Sequence, residues 1–341
     1  MKRTSLGIFV FVLATTLLCS AQEQKFANLG DFKLVSGEVI KDCRVGYRTY
    51  GQMNADKSNV VVFPTWFGGT SEEIARYQVG PGKMADSASY YVIVMDSFAN
   101  GVSSSPSNST QQHGVAFPKV TIRDMVESQH EVLTKTLGLS HVHAVMGISM
   151  GGMQTFQWAV AYPDFMDLLI PIVGTPQQTS WDMLLWNSEL DEIRSDPDYQ
   201  NGNYKVSPPL KTVAHIHQLA MRTPHNRATE IAPADFGKFF SGQVWTRDAN
   251  DTVRQLEAML GQDLATQFGG SMERAAAAVK APMLIVVATQ DHMVNPIPAM
   301  KFAELRKAQL LKLEGDCGHS APGCEIDLVR PAVAKFLEAG N

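Results

Sequence analysis

Short runs of apolar residues recur along the first hundred positions of the chain. Two stretches of mixed alternation, at 32–34 and 44–50, predict antiparallel edge strands. Nearly continuous apolar runs follow at 59–63 (NVVVF) and 90–95 (YYVIVM). Runs of this kind, rich in β-branched residues, are typical of strands that are buried on both faces of a parallel sheet.

Beyond residue 120 the pattern alternates between helical and strand-like segments. Apolar residues recur at helical spacing between 121 and 137, and Gly138 follows as a stop signal. The same reasoning predicts strands at 142–146, 168–173, 283–288 and 310–313, and helices at 150–161, 271–279, 298–305 and 325–339. This alternation predicts an α/β fold with a mostly parallel central sheet flanked by helices.

The alternation is interrupted over residues 177–270. Strand-like runs disappear there, and the sequence is mostly helical in pattern and rich in Trp, Met and His. We interpret this segment, called the inserted segment below, as a helical lid over the sheet. The α/β core is then divided into residues 22–176 and 271–341.

The N-terminus carries a different pattern. A basic Met-Lys-Arg start precedes an apolar run at 6–18, and small residues follow at Cys19 and Ala21. This pattern predicts a signal peptide over residues 1–21 and therefore an exported protein, periplasmic or secreted. The apolar run is short for a membrane span, so no stable span is expected after cleavage. An uncleaved membrane anchor is the alternative.

Composition narrows the classes of function. The 341 residues include 45% hydrophobic and 18% charged residues, and the formal net charge is −5. This apolar content excludes a disordered chain. Lys and Arg are neither in excess nor clustered, so nucleic-acid binding has no electrostatic support and no such partner is expected.

One sequence motif indicates a catalytic nucleophile. The sequence GISMGG at 147–152 is a G-x-S-x-G pattern between a predicted strand and a predicted helix. This context is that of a nucleophile elbow, in which glycines permit a sharp turn that lifts the serine above the sheet. Ser149 is therefore the predicted nucleophile. The alternative is a glycine-rich turn with an inert serine.

A serine nucleophile needs a base, and the base needs an acid to orient it. The elbow implies the chain order Ser, acid, His, which Asp291 and His319 satisfy in loops after predicted strands. We expect His319 to accept the proton of Ser149 and Asp291 to hold the imidazole. Asp316, three residues before His319, is interpreted as a loop residue. The histidines show no metal-ligand set, so we predict no metal site and no cofactor.

Backbone donors for an oxyanion are expected in two places. One is the N–H of Met150, directly after the nucleophile. The other is the N–H of Trp66, with Phe67 as the alternative, in the loop after 59–63. Apolar side chains near these elements form either an acyl pocket or the core of the inserted segment: Trp66, Phe67, Trp181, Met183 and Trp186.

Several stretches together resemble the homoserine O-acetyltransferase family of α/β-hydrolases. They are TIRDMV at 121–126, GISMGGMQ at 147–154, YPD at 162–164, NGVSSSPSN at 100–108, and the start of the inserted segment from Ser180 to Pro197. The resemblance implies the α/β-hydrolase fold. It also implies acyl transfer through an acyl-Ser149 intermediate to an acceptor.

Two departures from that family concern the acceptor. Where the acetyltransferases carry an Asp after the catalytic His, this chain has Ser320. The family's helical Arg is missing from 187–193, and Arg194 follows too late to face the same way. We therefore favour an exported serine ester hydrolase whose partner is a small-molecule ester. The predicted substrate-binding residues are Phe67, Trp181, Trp186 and Ser320. An O-acyltransferase to a small alcohol is the alternative, and a non-catalytic binding protein is the least favoured.

Cysteines add one structural expectation. After signal cleavage, Cys317 and Cys324 flank His319, and Cys43 is the third cysteine. In an oxidising compartment we expect the first two to form a disulfide that stiffens the loop of the base. Two buried free thiols are the alternative. The oligomeric state stays open, a homodimer included.

Overall fold

The computed structural model describes residues 23–340, so the predicted signal peptide at 1–21 lies outside the described residues. The strands are β1 Lys25–Lys33, β2 Val39–Tyr50, β3 Val60–Pro64, β4 Tyr91–Met95, β5 Val142–Ile148, β6 Met166–Ile172, β7 Leu284–Ala288 and β8 Gln309–Leu313. They form one sheet in the order β1-β2-β4-β3-β5-β6-β7-β8. The pairs β1–β2 and β2–β4 are antiparallel, and the other neighbours are parallel. This topology confirms the predicted antiparallel edge and the mostly parallel centre.

The helices lie on both faces of this sheet and in the inserted segment. They are α1 Ser71–Gln78, α2 Ile122–Glu131, α3 Met150–Ala161, α4 Ser180–Ser195, α5 Lys211–Met221, α6 Pro224–Glu230, α7 Phe236–Gly242, α8 Ala249–Leu260, α9 Met272–Ala278, α10 Pro296–Arg306, α11 Ala321–Cys324 and α12 Ile326–Glu338. None of these helices of the described chain has the length and hydrophobicity needed to cross a bilayer.

Strand β3 shows why the sheet requires helices on both sides. All five of its residues are buried. Val60 and Val62 belong to one apolar cluster, which includes side chains of α2, α3 and α10. Val61 and Phe63 belong to the other, which includes side chains of α1 and α12. Successive side chains of a strand point to opposite faces, so a continuous apolar run must be covered twice.

Strand β1, Lys25–Lys33, begins seven residues before the predicted strand at 32–34, and two helices also differ from the prediction. Helix α1 was not predicted from the sequence. The helix predicted over 121–137 is α-helical only to Glu131 and continues as a π-helical turn, Val132–Thr136. Its start is fixed by a capping box between Thr121 and Asp124.

The inserted segment, 177–270, is helical as predicted. Over the described residues 173–283 the chain contributes no strand to the sheet and forms helices α4 to α9. Leu256 and Met259 of α8 are buried in the same apolar cluster as β3. The inserted segment therefore packs on the core through α8. Its role as a lid, and the division into domains, stay predictions.

Candidate active site

Ser149 lies in a sharp turn between β5 and α3. Its backbone has φ 59° and ψ −120°, a conformation that residues other than glycine rarely adopt. The neighbouring glycines are required sterically, because a Cβ at Gly147 would lie 2.3 Å from the carbonyl oxygen of Gly151. A Cβ at Gly151 would lie 2.6 Å from that of Pro64. The G-x-S-x-G pattern therefore permits a strand, a loop and a helix to meet at the serine.

Ser149, His319 and Asp291 form a continuous chain of hydrogen bonds. His319 Nε2 lies 2.8 Å from Ser149 Oγ, and His319 Nδ1 lies 2.7 Å from Asp291 Oδ2. All three side chains are buried. A carboxylate only accepts hydrogen bonds, so Nδ1 carries the imidazole proton and Nε2 accepts the Ser149 O–H.

Asp291 is held by the backbone of its own loop. The N–H groups of Met293 and Val294 donate to Asp291 Oδ1 at 2.8 and 3.0 Å. These two donors stabilise the charged carboxylate and prevent it from rotating, which leaves Oδ2 for His319. The loop after β7 is thus built to orient the imidazole.

The loop of His319 is closed by a disulfide. Cys317 and Cys324 are bonded, with their Cα atoms 6.5 Å apart, and this confirms the predicted pairing. His319 lies between them in a short helical turn, Gly318–Ser320. Cys43 is a buried free thiol, and its burial raises its pKa to about 12.

A cavity of about 550 Å³ opens above Ser149 and His319. Its apolar wall includes Trp66, Phe67, Ile148, Trp186, Trp245 and Met293, and its polar lining includes Glu73, Arg76, His217, Arg247 and Ser320. The predicted substrate-binding residues Phe67, Trp186 and Ser320 therefore lie around the serine. Such a concave site, with aromatic side chains and a few polar groups, is typical of small-molecule binding.

Trp181, which was also predicted to bind substrate, is not among the residues that line this cavity. Its side chain is 52% exposed, and its indole N–H donates to the carbonyl oxygen of His292 at 2.7 Å. Trp181 and Trp186 are five residues apart on α4, which places them about 140° apart around the helix. Only Trp186 faces the cavity. Met183 is also exposed, at 44%.

The loop after β3 is brought against the start of α3. Trp66, Phe67 and Gly68 line the cavity together with Ser149. Met150 is the first residue of α3, and amide groups in a first helical turn have no acceptor within their own helix. The structure thus brings together the two segments expected to supply oxyanion donors. The donor roles of Met150 and Trp66 stay predictions.

Comparison with known proteins places this geometry in a family. The family model for the alpha/beta hydrolase fold matches residues 59–322. The chain belongs to the α/β-hydrolase family. This α/β-hydrolase is 31% identical to an ethyl acetate hydrolase of Pseudomonas veronii, over 82% of this chain and 86% of that protein. It is 28% identical to a homoserine O-acetyltransferase of Methanococcoides burtonii, over 90% of this chain and 72% of that protein.

Solved structures agree with the sequence relatives. The acetyl esterase MekB superposes on this α/β-hydrolase with a TM-score of 0.87 and 26% identity, over 93% of this chain and 97% of that one. The resemblance identified from the sequence is therefore confirmed. The chain is an enzyme of the group that contains esterases and homoserine O-acetyltransferases.

Sequence reasoning missed several residues of the site. Trp245 and Arg247 lie in the loop before α8, where no periodic pattern marks them. Arg247 donates to Glu73 of α1 at 2.5 Å and so joins the inserted segment to the core. Gln255 of α8 accepts the N–H of Gly68 in the loop after β3. These contacts are tertiary, so the local sequence carries no signal for them.

Four further charged or histidine side chains differ in whether they reach the cavity. Asp316 is a loop residue, and hydrogen bonds from His225 and Asn226 hold its pKa below the usual range. Arg194 pairs with Glu257 at 3.0 Å rather than lining the cavity. His215 stacks on Phe240, away from the cavity, while His217 lines it, because the two face different sides of α5. Within residues 23–340, no group of three or more acidic, His or Cys side chains is arranged to hold a metal.

Proposed function

We propose that this α/β-hydrolase is an exported serine ester hydrolase that acts through an acyl-Ser149 intermediate. The hydrogen-bonded chain Ser149–His319–Asp291 carries the proposal, because it supplies a nucleophile, a base and an orienting carboxylate in one buried line. The family supplies enzymes of both esterase and acyltransferase type.

The mechanism follows from the hydrogen bonds. Ser149 Oγ attacks the ester carbonyl carbon while His319 Nε2 takes the hydroxyl proton. The oxyanion that forms is stabilised by the N–H groups of Met150 and Trp66. His319 then gives its proton to the alcohol oxygen as the C–O bond breaks, which leaves the acyl group on Ser149. Water then attacks the acyl carbon while His319 Nε2 takes its proton. His319 passes that proton to Ser149 Oγ as the acyl–Oγ bond breaks and the acid leaves.

Two residues favour water over an amino acid as the acceptor. Ser320 lies where the acetyltransferases carry an Asp, and Arg194 is held by Glu257 outside the cavity. The charged pair that would hold an amino-acid acceptor is therefore not assembled from these residues. The alternative, an O-acyltransferase to a small alcohol, is supported by relatives that carry the acetyltransferase name.

Export is proposed from two observations. The residues at 1–21 have the pattern of a signal peptide. The bond between Cys317 and Cys324 is of a kind that persists in oxidising compartments and is rare in the cytosol.

One experiment separates the two enzymatic candidates. The purified protein is assayed with short-chain esters in water, and in parallel with acetyl-CoA plus homoserine and with the same esters plus small alcohols. A hydrolase releases the acid at a rate that added alcohol does not increase. An acyltransferase turns over faster with the alcohol or consumes acetyl-CoA with homoserine, and this result would overturn the proposal.

A further inference from the structure

His217 is the polar side chain that α5 contributes to the cavity. Its ring centroid lies 5.8 Å from that of Phe67 and 5.1 Å from that of Trp245. Its Nδ1 lies 3.1 Å from Oε1 of Glu189 on α4. Its Nε2 has no hydrogen-bond partner among residues 23–340. Water or a bound ligand in the cavity is therefore the remaining partner for that nitrogen.

Glu189 differs from the acid that holds the catalytic imidazole. Its side chain is fully buried, and its Oε2 has no partner among the described residues. Asp291, by contrast, accepts two backbone N–H groups in addition to His319. Backbone donors favour a charged carboxylate, whereas burial without them disfavours it.

This difference determines how the two acid–histidine pairs, Glu189–His217 and Asp291–His319, are protonated. Because a net negative charge at Glu189 would be buried with one hydrogen bond, the Glu189–His217 pair is expected to stay neutral overall. It is then either a carboxylate with an imidazolium or a carboxyl that donates to Nδ1. In both forms His217 Nε2 carries a proton. The catalytic imidazole is the opposite case, because His319 Nε2 accepts the hydrogen bond from Ser149.

We infer that the Nε2–H of His217 recognises the substrate, and that this enzyme prefers esters carrying a second neutral oxygen acceptor, such as a ketone carbonyl. The inference rests on the proposed function, because His217 and Ser149 share one cavity. A neutral acceptor fits better than an anion, because the pair is neutral and aromatic rings surround it. Arg247 also lines the cavity, but its positive charge is paired with the carboxylate of Glu73.

The test uses ester pairs matched in shape. Ethyl levulinate is compared with ethyl isocaproate, which has a methyl group in place of the ketone oxygen, and acetonyl acetate is compared with isobutyl acetate. The ratio of kcat/KM within each pair is measured for the native enzyme and for the double variant Glu189→Leu/His217→Leu, which leaves no unpaired buried charge. Differences in intrinsic reactivity cancel between the two enzymes.

In at least one ester pair, the ratio of kcat/KM for the ketone ester to that for its hydrocarbon match should fall about five- to tenfold in the double variant. A change of this size corresponds to the loss of one hydrogen bond. Glu189→Gln should retain the preference, because its amide can donate to Nδ1 as a protonated carboxyl does. His215→Phe is the matched control on the outer side of α5 and should leave the ratio unchanged. If the double variant fails to fold, His217→Phe replaces it.

The outcomes separate this inference from the proposed function. If the native enzyme hydrolyses none of the four esters, the proposed function itself fails. If it hydrolyses them and the ratios of both pairs are unchanged in the His217 variants, only the role of His217 is overturned. A greater kcat/KM for monoethyl succinate than for ethyl levulinate would contradict the neutral acceptor.

Discussion

The backbone N–H of Gly68 donates a 2.7 Å hydrogen bond to Oε1 of Gln255, 187 positions further along the chain. Gln255 in turn donates through Nε2 to the carbonyl oxygen of Phe98 at 2.8 Å, and its side chain is buried. One side chain of α8 thus joins the loop after β3 to the loop after β4. Because Trp66 lies two residues before Gly68, the inserted segment helps to fix the predicted oxyanion donor.

Replacing Gln255 by Ala should lower kcat about tenfold with a smaller change in KM, because an oxyanion donor acts mainly in the transition state. Gln255→Glu keeps the acceptor for Gly68 and removes the donor to Phe98, so its kcat should lie between those of the native enzyme and Gln255→Ala. Steady-state kinetics on one short-chain ester give both constants. An unchanged kcat in Gln255→Ala would show that the loop needs no support from α8.

Asp291→Asn should reduce kcat by about 10³- to 10⁴-fold. The N–H groups of Met293 and Val294 would keep the amide oxygen at the Oδ1 position, so the NH₂ group would face His319 Nδ1. The imidazole would then carry its proton on Nε2 and could not accept the Ser149 proton.

Hydrolysis rate and fluorophosphonate labelling of Ser149 measure this effect. Asp316→Asn is the matched control, because Asp316 also contacts a histidine, His225 of α6, but neither residue lines the cavity. Its activity should stay within about twofold of the native value, as for a substitution away from the reacting atoms. A similar loss in both variants would argue against a special role for Asp291.

Reducing the disulfide should destabilise the protein by about 2 kcal/mol, because the bond closes a loop of only a few residues. The expected effect is a fall of a few degrees in Tm when reductant is added, and the same fall without reductant in Cys317→Ser/Cys324→Ser. Cys43→Ala should keep the response to reductant. A native Tm that is insensitive to reductant would contradict the predicted contribution of the bond.

The buried carboxyl of Asp251 is expected to make the stability of the folded protein depend on pH. It is buried on α8 and accepts hydrogen bonds from Ser107 N–H and Oγ–H at 2.9 and 2.6 Å. Burial raises its pKa to about 7. The folded protein therefore binds this proton more tightly than the unfolded chain does, so the contribution of Asp251 to stability falls as pH rises from about 4 to about 7.

Asp251→Asn should remove this part of the pH dependence. At about pH 8 the variant should have a higher Tm than the native protein, and the difference should shrink towards about pH 5, where Asp251 is protonated in the native fold. Thermal unfolding across this range measures both. Parallel curves for the two proteins would mean that Asp251 does not titrate in this window.

The sheet and the elbow could be predicted because their signals are local. Continuous β-branched runs define β3 and β4, and the glycines around Ser149 are required by contacts within the turn itself. Helix α1 was missed because it is eight residues long and buries only Ser71, Ile74 and Ala75, too few for a periodic pattern.

The walls of the cavity could be predicted only in part. Trp186 and Phe67 were found as apolar residues near the motif, and both line the cavity. Trp181 was predicted by the same reasoning, but its side chain is exposed and contacts His292 instead. Trp245 and Arg247 reach the site by packing of the inserted segment on the core. Such contacts depend on the whole fold and have no counterpart in the local sequence.

In the proposed mechanism, Ser149 carries the acyl group between the ester and water. The most direct measurement is rapid quenching of the reaction with p-nitrophenyl acetate, followed by mass spectrometry of the digested protein. We expect a burst of p-nitrophenol close to one equivalent per enzyme and a single acetyl group on the peptide that contains Ser149. Full ester turnover by Ser149→Ala, or an acetyl group found only on other residues, would contradict it.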